Sequence, residues 1–233
     1  MKNISDSLIV KTIQKVVGRG SHQLHEPLFL GKEIRYLKNT INQNVVSSTG
    51  AYVNKFEDKI KKFTKAKFAI AVVNGTQAIY ISLLACGVRK NDEVLVPSLT
   101  FVGSVNAISH LGAEPHFVDS QIENFGINCK KLENYLNKIS KIKGNKCVNK
   151  FTGRVIKAIV PVHVFGHPCD IQGIINVAKK FHLAVIEDAA EALGSFYKKK
   201  HLGTFGEAGC LSFNGNKIIT TGGGGMVITN KKL

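Results

Sequence analysis

The feature that most restricts this chain is a repeated switch between two hydrophobic patterns. Apolar runs at Phe68 to Val73, Glu93 to Val96, Glu114 to Val118, Val155 to Val160 and Ala184 to Ile186 read as strands. Stretches with helical spacing separate them, at Thr76 to Cys86, Val102 to Leu111, Lys130 to Ile139 and Ile171 to Phe181. Strand and helix alternating this often predict an α/β fold, a mostly parallel sheet with helices on both faces. Asp170, after Pro168-Cys169, is the expected N-cap of the helix that begins at Ile171.

Upstream, residues 31–43 and 50–63 also carry helical spacing, with Ile34, Leu37 and Ile41, then Val53, Phe56, Ile60 and Phe63, each on one face. Ser47 to Gly50 is a loop between them, and the residues before 31 are polar and poorly patterned. Residues 138–153 resemble a low-complexity insertion, and Met226 to Thr229 is strand-like. The expected organisation is an N-terminal extension over 1–30 and one large domain over 31–233.

A chain of 233 residues with 44% hydrophobic content can bury one large core. No apolar run approaches the roughly 18 residues that span a bilayer. The first ten residues hold too short an apolar stretch for a secretory signal, so a cytoplasmic location without membrane attachment is expected. The five cysteines are scattered, with no Cys-x-x-Cys pair, and read as reduced structural thiols. The formal charge of +16 raises the question of nucleic acid. However, the lysines lie along polar helix faces or in 138–146, without the interleaved aromatics of a stacking platform. A solvated surface that attracts small anionic substrates fits better than a nucleic-acid partner.

In an open parallel sheet, ligands gather where strands end and helices begin. Three segments fit that position. Asn74-Gly75-Thr76 offers close backbone approach and a hydroxyl, or else an ordinary capped glycine turn. Ala184 to Asp188 delivers Glu187 and Asp188 to the carboxyl edge, where a carboxylate can bind a cation, act as a base, pair with a protonated ring nitrogen or simply cap a helix. In the third, Ser212 precedes Lys217, which lies among Gly215, Thr220, Thr221 and four successive glycines. An amine desolvated there would be a nucleophile toward an aldehyde. The glycines form no Walker loop, and His163 and His167 lack the glutamate of a His-Glu-x-x-His site, so no metal is expected. Phe101 taken alone is a core aromatic.

Six motifs occur in one order: Asn74-Gly-Thr76, Pro97-Ser-Leu-Thr-Phe101, Val162-His-Val-Phe-Gly166, Glu187-Asp-Ala-Ala-Glu191, Ser212-Phe-Asn-Gly-Asn-Lys217 and Thr221-Gly-Gly-Gly-Gly225. Together, over roughly residues 25 to 230, they resemble the DegT/DnrJ/EryC1/StrS family of sugar aminotransferases. The resemblance implies the large domain of a fold-type I transferase and the cofactor pyridoxal phosphate. Lys217 would bind the cofactor as an imine and shuttle the substrate proton. Asp188 would pair with the pyridinium nitrogen, and Gly75, Thr76 and Ser212 would hold the phosphate. Phe101 would stack on the ring, while Glu191, at a position commonly Gln in the family, would lie near the ring oxygen. His163 matches a motif without an assigned step.

Leu28 to Glu33 and Val46 to Gly50 are most similar to enzymes that aminate C4 of a UDP-linked 4-keto-6-deoxy N-acetyl sugar, as on the route to legionaminic-type sugars, with an amino acid, glutamate, as donor. Family members usually continue well beyond the glycine run into a small C-terminal domain, so the resemblance implies a truncated chain and, where enough of it is present, a homodimer. A non-catalytic remnant and a basic nucleic-acid-binding module are the rival expectations.

Overall fold

The computed structural model describes residues 6–23, 25 and 27–232. The chain begins with α1 (Asp6–Val17), α2 (Lys32–Asn42), α3 (Ala51–Thr64), β1 (Phe68–Val72) and α4 (Gly75–Ala85). It continues through β2 (Glu93–Pro97), α5 (Val102–His110), β3 (Glu114–Val118) and α6 (Cys129–Ile139). The hairpin β4 (Ser140–Lys143) and β5 (Lys146–Asn149) leads to β6 (Val155–Ile159), α7 (Ile171–Phe181) and β7 (Ala184–Asp188). A small hairpin of β8 (Phe196–Tyr197) and β9 (Lys200–His201) precedes β10 (Ala208–Ser212) and β11 (Gly225–Thr229).

The main sheet has the order β1-β11-β10-β7-β6-β2-β3. Strand β11 runs antiparallel to both its neighbours, and every other pair along that order is parallel. The strand carboxyl ends of β1, β2, β6, β7 and β10 therefore share one edge. Successive side chains on a strand point to opposite faces, and the core divides accordingly. Val94, Val96, Ala158 and Ile186 pack with α4 and α5 on one face. Leu95, Ile159 and Val185 pack with α6 and α7 on the other, where α3 also covers Leu211, Met226 and Ile228. The expected α/β sheet with helices on both faces is what the chain forms.

Three expectations need correction. The poorly patterned start contains the helix α1, none of whose residues is buried. A helix with no buried residue has no core face to reinforce the pattern. Residues 138–153 are not a loose insertion: β5 pairs antiparallel with β6 and brings β4 with it. The hairpin is tied down by Glu93, whose carboxylate accepts from Asn149 Nδ2 at 2.9 Å and from Thr152 Oγ1 at 2.5 Å. Strand β10, absent from the expected elements, lies at the centre of the sheet between β7 and β11. Gly209 dilutes its apolar signal because a Cβ there would lie 2.1 Å from the Gly203 carbonyl oxygen. Asp170 caps α7 as expected, its Oδ1 accepting from Gly173 N at 3.0 Å.

Candidate active site

The carboxyl edge of the sheet opens into a cavity of about 530 Å³. Gly75, Thr76, Phe101, Asp188, Glu191, Ser212 and Lys217 all line it, so every expected site residue is brought to one place. Each arrives from the end of a strand, the start of a helix or the loop that follows a strand. Asn74 caps α4 by accepting from Gln77 N at 2.8 Å, which leaves Gly75 and Thr76 as the first residues of the helix. The first amides of a helix have no intrahelical acceptor, and with the helix dipole they favour an anion. Space is tight around this turn. A Cβ on Gly75 would come within 3.0 Å of Ser212 Cβ, one on Gly103 within 2.8 Å of Thr76 Oγ1, and one on Gly225 within 2.3 Å of Asn74 C.

Lys217 sits in the loop between β10 and β11. Phe213 is buried and stacks edge-on against Phe56 with ring centroids 4.8 Å apart, anchoring the loop in the core. The loop then folds back on itself through Phe213 N to Gly224 O at 2.8 Å and Thr221 N to Phe213 O at 3.0 Å. Lys217 Nζ donates to Glu191 Oε1 at 2.9 Å and lies 5.9 Å from the centre of the Phe101 ring. The other carboxylate oxygen of Glu191 accepts from Phe165 N at 3.1 Å. Phe165 belongs to the 3-10 turn Val164–Gly166 and holds a left-handed φ of 51°, uncommon for a bulky residue. Its ring borders the cavity.

Glu187 and Asp188 were equal candidates in the sequence, and the strand separates them. Asp188 faces the cavity; its Oδ2 accepts from Ser104 Oγ at 2.5 Å and its Oδ1 from Ala190 N at 3.1 Å. Burial pushes its carboxyl up from the usual range, opposed by the Ser104 hydroxyl, the Ala190 amide and the charge of Lys217. Glu187 is fully buried and accepts from the amides of Gly203, Phe205 and Gly206 at 2.9, 2.6 and 2.7 Å and meets His163 Nε2 at 3.0 Å. Since His163 Nδ1 accepts from Cys169 N at 3.4 Å, the ring proton belongs on Nε2, donated to Glu187. The pair locks the turn after β6 to the 203–206 loop and leaves Glu187 no free valence. Adjacent strand positions cannot both face one site, and that period could have chosen between them.

Phe165 and Ser104 escaped the sequence reading as site residues. Among the described residues no group of His, Cys, Asp and Glu could hold a metal ion.

The sequence profile of the DegT/DnrJ/EryC1/StrS aminotransferase family matches residues 30–233. The chain belongs to that family. Among family members and relatives it is 44% identical, over 90% of its length, to the GDP-perosamine synthase of Escherichia coli O157:H7, of which it covers 53%. It is 36% identical over 78% of its length to a dTDP-3-amino-3,6-dideoxy-alpha-D-galactopyranose transaminase of Aneurinibacillus thermoaerophilus, covering 46% of that protein. The crystal structure of an aminotransferase from Psychrobacter cryohalolentis superposes with a TM-score of 0.77 at 34% identity, covering 88% of this chain and 49% of that one. The chain spans about half the length of the curated relatives it matches. Pyridoxal phosphate is the cofactor of these DegT/DnrJ/EryC1/StrS aminotransferases. The donor set suits it: an amine for an aldehyde, a buried carboxylate for a pyridine nitrogen, and a hydroxyl-flanked helix N-terminus for a phosphate. No described helix is long and apolar enough to cross a membrane.

Proposed function

We propose that residues 31–233 are the cofactor-binding domain of an aminotransferase that moves an amino group from an amino acid, glutamate, to C4 of a nucleotide-linked 4-keto-6-deoxy sugar, with residues 1–30 as an extension of that domain. The observation that carries this reading is the convergence of Lys217, Asp188 and the Gly75–Ser212 cradle on one cavity. When bound, pyridoxal phosphate supplies an electron sink that stabilises negative charge at the carbon losing its proton.

The protein residues have separate tasks. The first amides of α4, with the hydroxyls of Thr76 and Ser212, bind the phosphate. The absence of a Cβ at Gly75 lets the backbone approach it. Phe101 would cover one face of the ring, and Asp188 would keep a proton on the ring nitrogen by charge. Lys217 Nζ, as a nucleophilic amine, would hold the cofactor through its aldehyde, and as a base it would move the proton at the reacting carbon. Glu191, 2.9 Å from Lys217 Nζ, holds that amine in place and would lie near the ring oxygen of a bound cofactor.

Three nucleotides are in view for the sugar. The motifs at Leu28 to Glu33 and Val46 to Gly50 are similar to those of enzymes acting on UDP-linked sugars, whereas relatives carry GDP or dTDP in their names. A homodimer in the cytoplasm completes the reading. Its support is the apolar stripe of Ile34, Leu37 and Ile41 on α2, which stays exposed among the described residues.

The test is borohydride reduction of the purified chain loaded with cofactor. The wild type should retain a covalent, near-ultraviolet-absorbing adduct, and Lys217→Ala should retain none; an adduct in the variant overturns the lysine assignment. Incubation with glutamate and the UDP- or GDP-linked 4-keto sugar then reads the substrate. A second reading, a domain that binds cofactor without turning over a sugar, is favoured by the coverage of only about half of each relative. Amination by this chain alone would exclude it.

A further inference from the structure

We propose that Ser104, held in turn by Thr100, is a positioning residue that fixes the Asp188 carboxylate toward the cofactor's ring nitrogen. The proposal rests on the reading of Asp188 given above. Asp188 is nearly buried and its carboxylate has two protein donors, a backbone amide on Oδ1 and the Ser104 hydroxyl on Oδ2. Ser104 is itself 1% exposed, and its single proton is committed to Asp188 at 2.5 Å, 84 residues away in sequence. Its oxygen must then accept, and Thr100 Oγ1 lies 3.0 Å away as the donor. Thr100 Oγ1 also lies 3.3 Å from Phe101 O, the poorer of its two acceptors.

The placement gives this chain of hydroxyls a task beyond packing. Phe101 holds the N-cap position of α5 and Ser104 lies in the first turn, so one short element carries both the ring facing the cavity and the donor to the carboxylate. A carboxylate with one fixed and one free oxygen can rotate about its Cβ–Cγ bond. With both oxygens held it presents a defined edge to the cavity. The two donors also oppose the burial that would otherwise favour the neutral acid, and a neutral acid cannot keep a ring nitrogen protonated by charge. A hydroxyl that served only to tie α5 to β7 would affect folding stability alone.

The experiment is cofactor titration of the purified chain, with the visible absorption band of the bound cofactor followed against pH. A donor lost from a buried carboxylate should weaken cofactor retention about tenfold in Ser104→Ala. It should also displace the pH at which the band changes, and Ser104→Thr, which keeps the hydroxyl, should restore both. Ser104→Cys fills the same volume with a weak donor and should fall between them. It carries the test if Ser104→Ala does not fold. Unchanged retention and an unchanged pH profile in Ser104→Ala, or in Ser104→Cys in its place, overturn the proposal. Asp188→Asn separates the two readings. If it leaves band and profile untouched, the assignment of Asp188 fails and the Ser104 proposal with it; if it alters them while Ser104→Ala does not, only the Ser104 proposal falls.

Discussion

Asp188 places a carboxylate where water hardly reaches, and the chain without cofactor bears the consequence. Its carboxyl is raised by burial, so the stability associated with it is present at acid pH and lost as pH rises through the folded-state value. Asp188→Asn should therefore raise the thermal midpoint of the cofactor-free chain at pH 7 and leave it little changed at pH 4. Calorimetry at the two pH values checks this; a lower midpoint at pH 7 would refute it. The same variant should fail to hold the cofactor's ring nitrogen protonated, a trade of function for stability. Asp188 was legible because strand and motif both pointed to it, yet Glu187 beside it looked equivalent. Their difference arises from loops far away in sequence: three amides from 203–206 and the ring of His163 absorb the Glu187 charge. Ser104 was illegible for a similar reason, since a serine within an apolar helical stretch acquires meaning only when β7 is brought beside α5.

At the scale of elements, one cap, Asp170, was readable in the sequence, while Asn74 and Asn128 were not read as caps; all three accept from the amide three residues on, satisfying a donor that the helix cannot. Asp170→Ala should destabilise the chain by about 1 kcal/mol in urea titration, while leaving cofactor retention unchanged, because Asp170 does not line the cavity. Elements that pack on the core were read correctly from their apolar period, as with α4 to α7. Those whose signal depends on tertiary partners were not: β10 is interrupted by a glycine that its neighbour's backbone demands, and β4 and β5 consist largely of polar residues fixed by the buried Glu93. In α2 the stripe was read correctly, and Ile34, Leu37 and Ile41 are 73%, 64% and 64% exposed.

For the whole molecule, that uncovered stripe and the charge of +16 act in opposite directions. Apolar area left in water favours association, whereas like charge opposes it and is screened by salt. The chain should therefore associate in sedimentation velocity runs at physiological ionic strength, and Leu37→Asp should shift it toward the monomer without changing its far-ultraviolet circular dichroism. Identical sedimentation of the two would remove α2 from the contact. The placement of β11 between β1 and β10 has a further effect, on timing. Phe68 to Val72 pair with Gly225 to Thr229, so a strand made early in synthesis stays without its partner while more than half the chain is added. The proposed phosphate cradle needs Gly225 against Asn74 and Ser212 against Gly75, and it closes only after both ends of that interval have left the ribosome. A nascent chain is thus blind to its cofactor until nearly all of these residues exist, and closing so long a loop sets the moment at which binding becomes possible.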